Sequence, residues 1–455
     1  MMTGRGGRLA GLVVLTFAAS WLVAGPVRAA GPEFGRPTIS GSFGEEIVAT
    51  QPVTLDATPD LVEVLVTMGS ATAPIVSEVP TPDDRTLTLR HPVVATGDHV
   101  LPNTPLRVRW RITTDGVARL GPETRTVVAD ERFDWQTVEG DVVRVHWYDG
   151  GREFGERALR IGEAAVADTS REFGVTEDEP IDFFIYATQD AFYDALGPGT
   201  RENVGGQANA DIRTLFAQIA PSSIDDPWVE NVVPHELIHL VFDTAVKNPY
   251  HFPPRWLNEG LAVYLSVGYD LSDRAAVETA ARNGQLIPLD GLVGQFPTSA
   301  TRFSLAYSES VSAVDYIIRT DGRDTMVDLV RSYAQGRTDD EAFEAAIGMD
   351  VAAFNDAWLA DLGAAAPTTY GPQPAPPGPR PADWGAPPPP MSGATPQPPG
   401  GATTRPPTAV PDPASGTPPT GRLLLIVLAP LVVLGIVLLV FTRTRRPAED
   451  PRWPR

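Results

Sequence analysis

Proline decides how much of this chain can fold. Residues 364–420 are low in complexity and crowded with proline, and Pro387–Pro390 is an unbroken run. Such a stretch has few apolar side chains to bury and few backbone N–H groups to pair, so it reads as an extended, partly polyproline II spacer. At roughly 3.1 Å per residue its reach is on the order of 170 Å. A packed core has to come from the residues before it.

Both ends of the chain carry apolar segments. Arg5 and Arg8, the apolar run Leu9–Ala24 and the small-x-small site Val27-Arg28-Ala29 make residues 1–30 read as a secretory signal, with an uncleaved anchor as the alternative. Leu423–Phe441 is apolar throughout except at Pro430 and Gly435. As a helix it would span roughly 28 Å, about one bilayer core. Arg443, Arg445 and Arg446 follow it, which puts residues 442–455 in the cytoplasm. The expectation is a single-pass type I protein of the cell membrane with its folded part extracellular.

Charge and composition narrow the chemistry. The net charge is −21, the opposite of a nucleic-acid footprint. The chain has no cysteine, which excludes disulfides, thiolate metal sites and a cysteine nucleophile. Any metal must be held by nitrogen and oxygen.

Two patterns divide the foldable part. In residues 31–130, Leu106–Ile112 alternates apolar residues with arginine, and Val62, Val64 and Val66 repeat the period of two. Turn signals at Pro82-Asp-Asp84 and Asp115-Gly116 separate the runs, so this part reads as an all-β sandwich of immunoglobulin type. Residues 131–363 alternate strand and helix and then become wholly helical, an α+β domain with a helical C-terminal part. Strands are expected at Val142–Trp147, Ile181–Tyr186 and about Ile212–Ile219, with a helix from Phe154 to Gly174.

Within the second region lies His235-Glu-Leu-Ile-His239. Four residues turn a helix by about 400°, so the two imidazoles lie on one face, spaced to grip one metal ion. Glu236 is placed to reach a water held there and to act as general base. Leu237, Ile238, Leu240, Val241 and Phe242 mark a buried helix, where two unpaired imidazoles would be costly. Pro234 either restarts this helix or kinks it. Glu259, within Arg255-Trp-Leu-Asn-Glu-Gly-Leu-Ala262, offers a third ligand twenty residues past His239.

The two motifs together resemble the gluzincin metallopeptidases, the thermolysin-like and aminopeptidase-like clan, and more closely the bacterial peptidase MA-like family of membrane-anchored proteins. The resemblance covers roughly residues 131–363. It implies Zn2+ held by His235, His239 and Glu259, with Glu236 as general base. It implies that Asn258 orients a ligand, a role Asp243 also matches by its place four residues past His239. Tyr307 sits where aminopeptidase-like members carry an oxyanion donor; His251 competes for that role and Tyr264 is a more distant candidate. Those members also carry an acidic residue upstream that holds the substrate amine, whereas Gly205-Gly-Gln-Ala208 has none, which points toward endopeptidase action. The strand near Ile212–Ile219 is expected to pair with an extended peptide.

The expected function is therefore a membrane-anchored zinc peptidase acting on protein or peptide substrates. Its rivals are a non-catalytic adhesion or scaffold protein with a degenerate peptidase domain, and a zinc amidase acting on cell-envelope material. The sequence sets no oligomeric state.

Overall fold

The computed structural model describes residues 31–198 and 205–365. The expected signal segment, the proline-rich stretch beyond residue 365 and the span Leu423–Phe441 lie outside the described residues. Among the described residues, no helix is long and apolar enough to cross a membrane. The chain divides into two compact units, one running to Phe133 and including Ala195–Pro198, the other made of the rest.

The first unit is built of strands. These are β1 (Glu33–Phe34), β2 (Thr38–Ser40), β3 (Ile47–Thr54), β4 (Leu61–Met68), β5 (Ile75–Val79), β6 (Thr86–Val94), β7 (Pro105–Thr114), β8 (Val117–Leu120) and β9 (Thr124–Val127). In one sheet β3 pairs with β1, β2 and β6; in the other the order is β5-β4-β7, with β8 and β9 both on β7. The period of two does what strand geometry requires. Leu106, Val108, Trp110 and Ile112 of β7 are fully buried, and they share a core with Val64 of their own sheet and with Val53 and Leu89 of the other. On the opposite face of the second sheet Arg111 grips Glu63, its direct cross-strand partner, through two contacts of 2.6 and 2.7 Å.

The second unit opens with β10 (Gln136–Glu139), β11 (Val143–Trp147), α1 (Arg152–Phe173), β12 (Ile181–Tyr186), α2 (Gln189–Leu196), β13 (Gly206–Asn209) and β14 (Thr214–Gln218). The helices that follow are α3 (Val229–Val246), α4 (Arg255–Ser266), α5 (Leu271–Arg282), α6 (Ala300–Thr320), α7 (Arg323–Tyr333), α8 (Asp339–Ala346) and α9 (Val351–Asp361). The sheet order is β10-β11-β12-β14-β13: β11, β12 and β14 run parallel, and an antiparallel strand closes each edge. Phe154, Ala158, Ile161 and Phe173 of α1 enter the same core as Val145 and Phe183 of the sheet and Leu237 and Val241 of α3.

One expectation is overturned. The strand at Ile212–Ile219 exists as β14, but β12 and β13 occupy both of its sides, so no backbone group is left there for a substrate. The edge belongs to β13, a four-residue strand of Gly, Gln, Ala and Asn that carries no strong β-former.

Candidate active site

The site is assembled by α3, α4, α6 and the edge strand β13. Nearly the whole circumference of α3 is apolar, with Val233, Leu237, Ile238, Leu240, Val241 and Phe242 all buried, so the helix is central rather than amphipathic. Pro234 lies inside this single continuous helix. Its missing N–H would have bonded the carbonyl of Glu230, so the helix continues at the cost of one intrahelical hydrogen bond.

His235 and His239 project from α3 with their ring planes at 89° and their Nε2 atoms 3.3 Å apart. Glu259 of α4 faces them, its Oε2 3.6 Å from His235 Nε2 and 3.5 Å from His239 Nε2. That oxygen is buried and has no hydrogen-bond partner. Ligands about 2.0–2.1 Å from one tetrahedral ion stand roughly 3.3–3.4 Å from each other. Three donors of the right type, at nearly that spacing, around an otherwise orphaned buried oxygen fit a metal ion. Burial pushes the Glu259 carboxyl up, but the imidazoles of His235 and His239 and the Arg255 guanidinium outweigh it and bring it down to about 2. Burial pushes the His235 imidazole down, and Glu259 and Glu236 more than reverse that, so a proton competes with a metal for this nitrogen.

The neighbours of these residues fix their orientation. His239 Nδ1 lies 2.9 Å from Asn258 Oδ1. With Nδ1–H donating to that oxygen, Nε2 keeps its lone pair for the metal. Glu236 accepts a 2.9 Å hydrogen bond at Oε2 from the Ala208 N–H of β13. A Cβ at Gly206 would come within 2.9 Å of Glu236 Cγ, so the close approach of this strand to the helix depends on glycine. Tyr307 of α6 leans toward the pair, its ring centroid 6.4 Å from that of His235, and is braced edge-on by Phe296 and Phe303. Burial, then the charge of Glu259, raises its hydroxyl above the ordinary tyrosine range, so it is a proton-bearing donor at neutral pH.

A cleft of about 550 Å³ collects His235, Glu236, His239, Asn258, Glu259 and Tyr307 along its walls. His251 is elsewhere: its Nε2 bonds Asp339 Oδ1 at 2.8 Å and its ring stacks on Tyr333. Tyr264 packs against the core and does not line the cleft. Asp243 does line it, but the His239 nitrogen it was expected to steady is taken by Asn258. One participant escaped the motif reading. Arg255 holds Glu259 Oε1 through Nε at 3.1 Å and Nη2 at 2.9 Å, with its guanidinium over the Phe296 ring. The i,i+4 spacing of Arg255 and Glu259 on a helix was the available signal.

Residues 162–364 match the family model of the Peptidase MA superfamily, which bears out the resemblance read from the two motifs. No curated protein matches the chain. Among solved structures, an M1 zinc metallopeptidase from Deinococcus radiodurans is 14% identical over 74% of this chain and 94% of its own, with a TM-score of 0.34. An aminopeptidase N family protein from Idiomarina loihiensis is 9% identical over 71% and 75%, with a TM-score of 0.38.

Proposed function

We propose that this chain is a zinc-dependent peptidase, a Peptidase MA-type catalytic unit held outside a membrane by its C-terminal apolar span. The observation that carries the reading is the buried Glu259 Oε2, without a partner and opposite two imidazole nitrogens. Unpaired buried carboxylate oxygens are costly, and a metal ion at their centre removes the cost.

His235, His239 and Glu259 would hold Zn2+, which supplies Lewis acidity that polarises a carbonyl and acidifies water. Glu236 takes the proton of the attacking water and passes it to the departing amine. The Ala208 N–H bond keeps its carboxylate aimed during both transfers. The Tyr307 hydroxyl donates to the oxyanion that develops on the attacked carbonyl. β13, open on one side, offers its backbone groups other than the Ala208 N–H, which Glu236 holds, to an extended peptide. Its Gln207 stands in a stretch with no acid to hold a substrate amine, which favours cleavage within a chain over removal of single N-terminal residues. The strand order of the first unit supports an immunoglobulin-like module in the same chain as the catalytic one.

The test is zinc content and cleavage of a denatured protein mixture by the full-length chain and by His239→Ala. Close to one zinc per chain, with both zinc and cleavage lost in the variant, is expected. Absence of zinc from the unmutated protein would contradict the reading, and zinc without proteolysis would favour an amidase of envelope material.

A further inference from the structure

Among the described residues, the acids lining the cleft are Glu236, Asp243 and Glu259. Glu236 and Glu259 have partners or a place in the metal centre. Asp243 has neither, although it is half-buried. It stands one turn past His239, about 6 Å further along the axis of α3. Its carboxylate makes no hydrogen bond and no close ion pair with any described residue. Arg213 is engaged elsewhere, donating to Glu177 Oε2 at 2.7 Å and to the Glu179 carbonyl at 2.8 Å. Arg213 and Lys247 act on Asp243 through their charge, each lowering its carboxyl, with no hydrogen bond to it. Burial raises the Asp243 carboxyl, and the Asp211 carboxylate, in the turn that follows β13, adds to it.

Leu240, Phe252, Ala208 and Ala210 line the same cleft as Asp243. Apolar side chains and a carboxylate without a hydrogen bond in one cleft match the stem and head of a long cationic side chain. Six ångströms along the helix corresponds to about two residues of extended peptide. We propose that Asp243 is a specificity-determining subsite, binding a substrate cation within about two residues of the scissile bond. That cation is a lysine or arginine side chain. The proposal rests on the peptidase reading and names what that site selects.

The experiment uses the full-length, zinc-loaded chain carrying Glu236→Gln, so that peptides bind without turnover. Fluorescent alanine hexapeptides, N-acetylated, carry lysine or its neutral isostere norleucine at each position in turn; a further norleucine series has a free N-terminus. At one position lysine should bind about tenfold tighter than norleucine; an advantage confined to the free-amine series would overturn the assignment to a side chain. Adding Asp243→Asn should bring the ratio to about one, and Asp243→Glu should keep most of it. Equal binding of charged and neutral peptides, no binding of either, or a preference that survives Asp243→Asn overturns the proposal. Cleavage of the acetylated norleucine peptides by the unmutated chain is measured alongside. Cleavage without any charge preference would overturn the subsite and leave the peptidase reading standing.

Discussion

Arg255 and Glu259 stand one turn apart on α4, and both guanidinium contacts fall on the same carboxylate oxygen, Oε1. Oε2 is thereby left pointing at His235 and His239. The arginine divides the labour of the carboxylate, one oxygen anchored and one presented.

Removing that anchor should loosen the metal. Arg255→Leu is expected to lower zinc affinity about 10- to 100-fold, read by competition with a chromophoric chelator. Arg255→Lys should recover only part of the loss, because an ammonium does not reproduce the two-pronged contact.

Tyr307→Phe keeps the ring packing against Phe296 and Phe303 and deletes only the hydroxyl. The expected result is a fall in kcat of roughly 100-fold, with KM little changed and zinc content intact, as for loss of a donor that acts on the transition state. Steady-state kinetics on a single peptide, with metal analysis of the same sample, checks it.

Gly260 follows Glu259 where α4 packs on α6. A Cβ there would lie 2.4 Å from the Ser310 carbonyl oxygen and 2.7 Å from its carbon, backbone atoms that cannot swing aside. Gly260→Ala should therefore force the helices apart and cost about 1–3 kcal/mol, seen as a lower thermal midpoint. The Glu-Gly order in the motif thus has a packing reason beside its chemical one.

Glu309 of α6 is fully buried and accepts the Ile287 N–H at 3.0 and 3.1 Å. Burial pushes its carboxyl up to about 8, against the weaker pull of that N–H and of Arg302. The folded state therefore holds a proton that the unfolded chain releases above the ordinary carboxylate value of 4.5. Stability from this group is fully present below about pH 4.5, declines as pH rises, and levels off above about pH 8. Glu309→Gln should flatten the dependence, so that thermal midpoints at pH 5 and pH 8.5 differ less than in the unmutated chain.

What the sequence revealed was local. The helix carrying His235 and His239 follows from a spacing that 3.6 residues per turn turns into one face, and Glu259 follows from its neighbours in the second motif. The buried strand Ile181–Tyr186 was legible from a run that is apolar except at Asp182. What stayed hidden depends on which distant segments meet. Leu215 and Phe216 mark β14 as a strand, yet nothing local says that β13 covers it. Asn258 by resemblance and Asp243 by spacing both offered a partner for His239, and the packing of α4 on α3 selects Asn258. His251 falls near the motif in sequence, but its bond to Asp339 of α8 draws it away.

The central claim is that Glu236 moves the proton and does not hold the metal. Replacing it with glutamine in the full-length chain keeps the shape and can keep a hydrogen bond with the Ala208 N–H while removing the base. The measurement is zinc per chain and cleavage rate on the same preparations of unmutated and Glu236→Gln protein. The account predicts equal zinc, near one per chain, with cleavage reduced by at least about 100-fold in the variant. Undiminished cleavage by a zinc-loaded Glu236→Gln protein would contradict it.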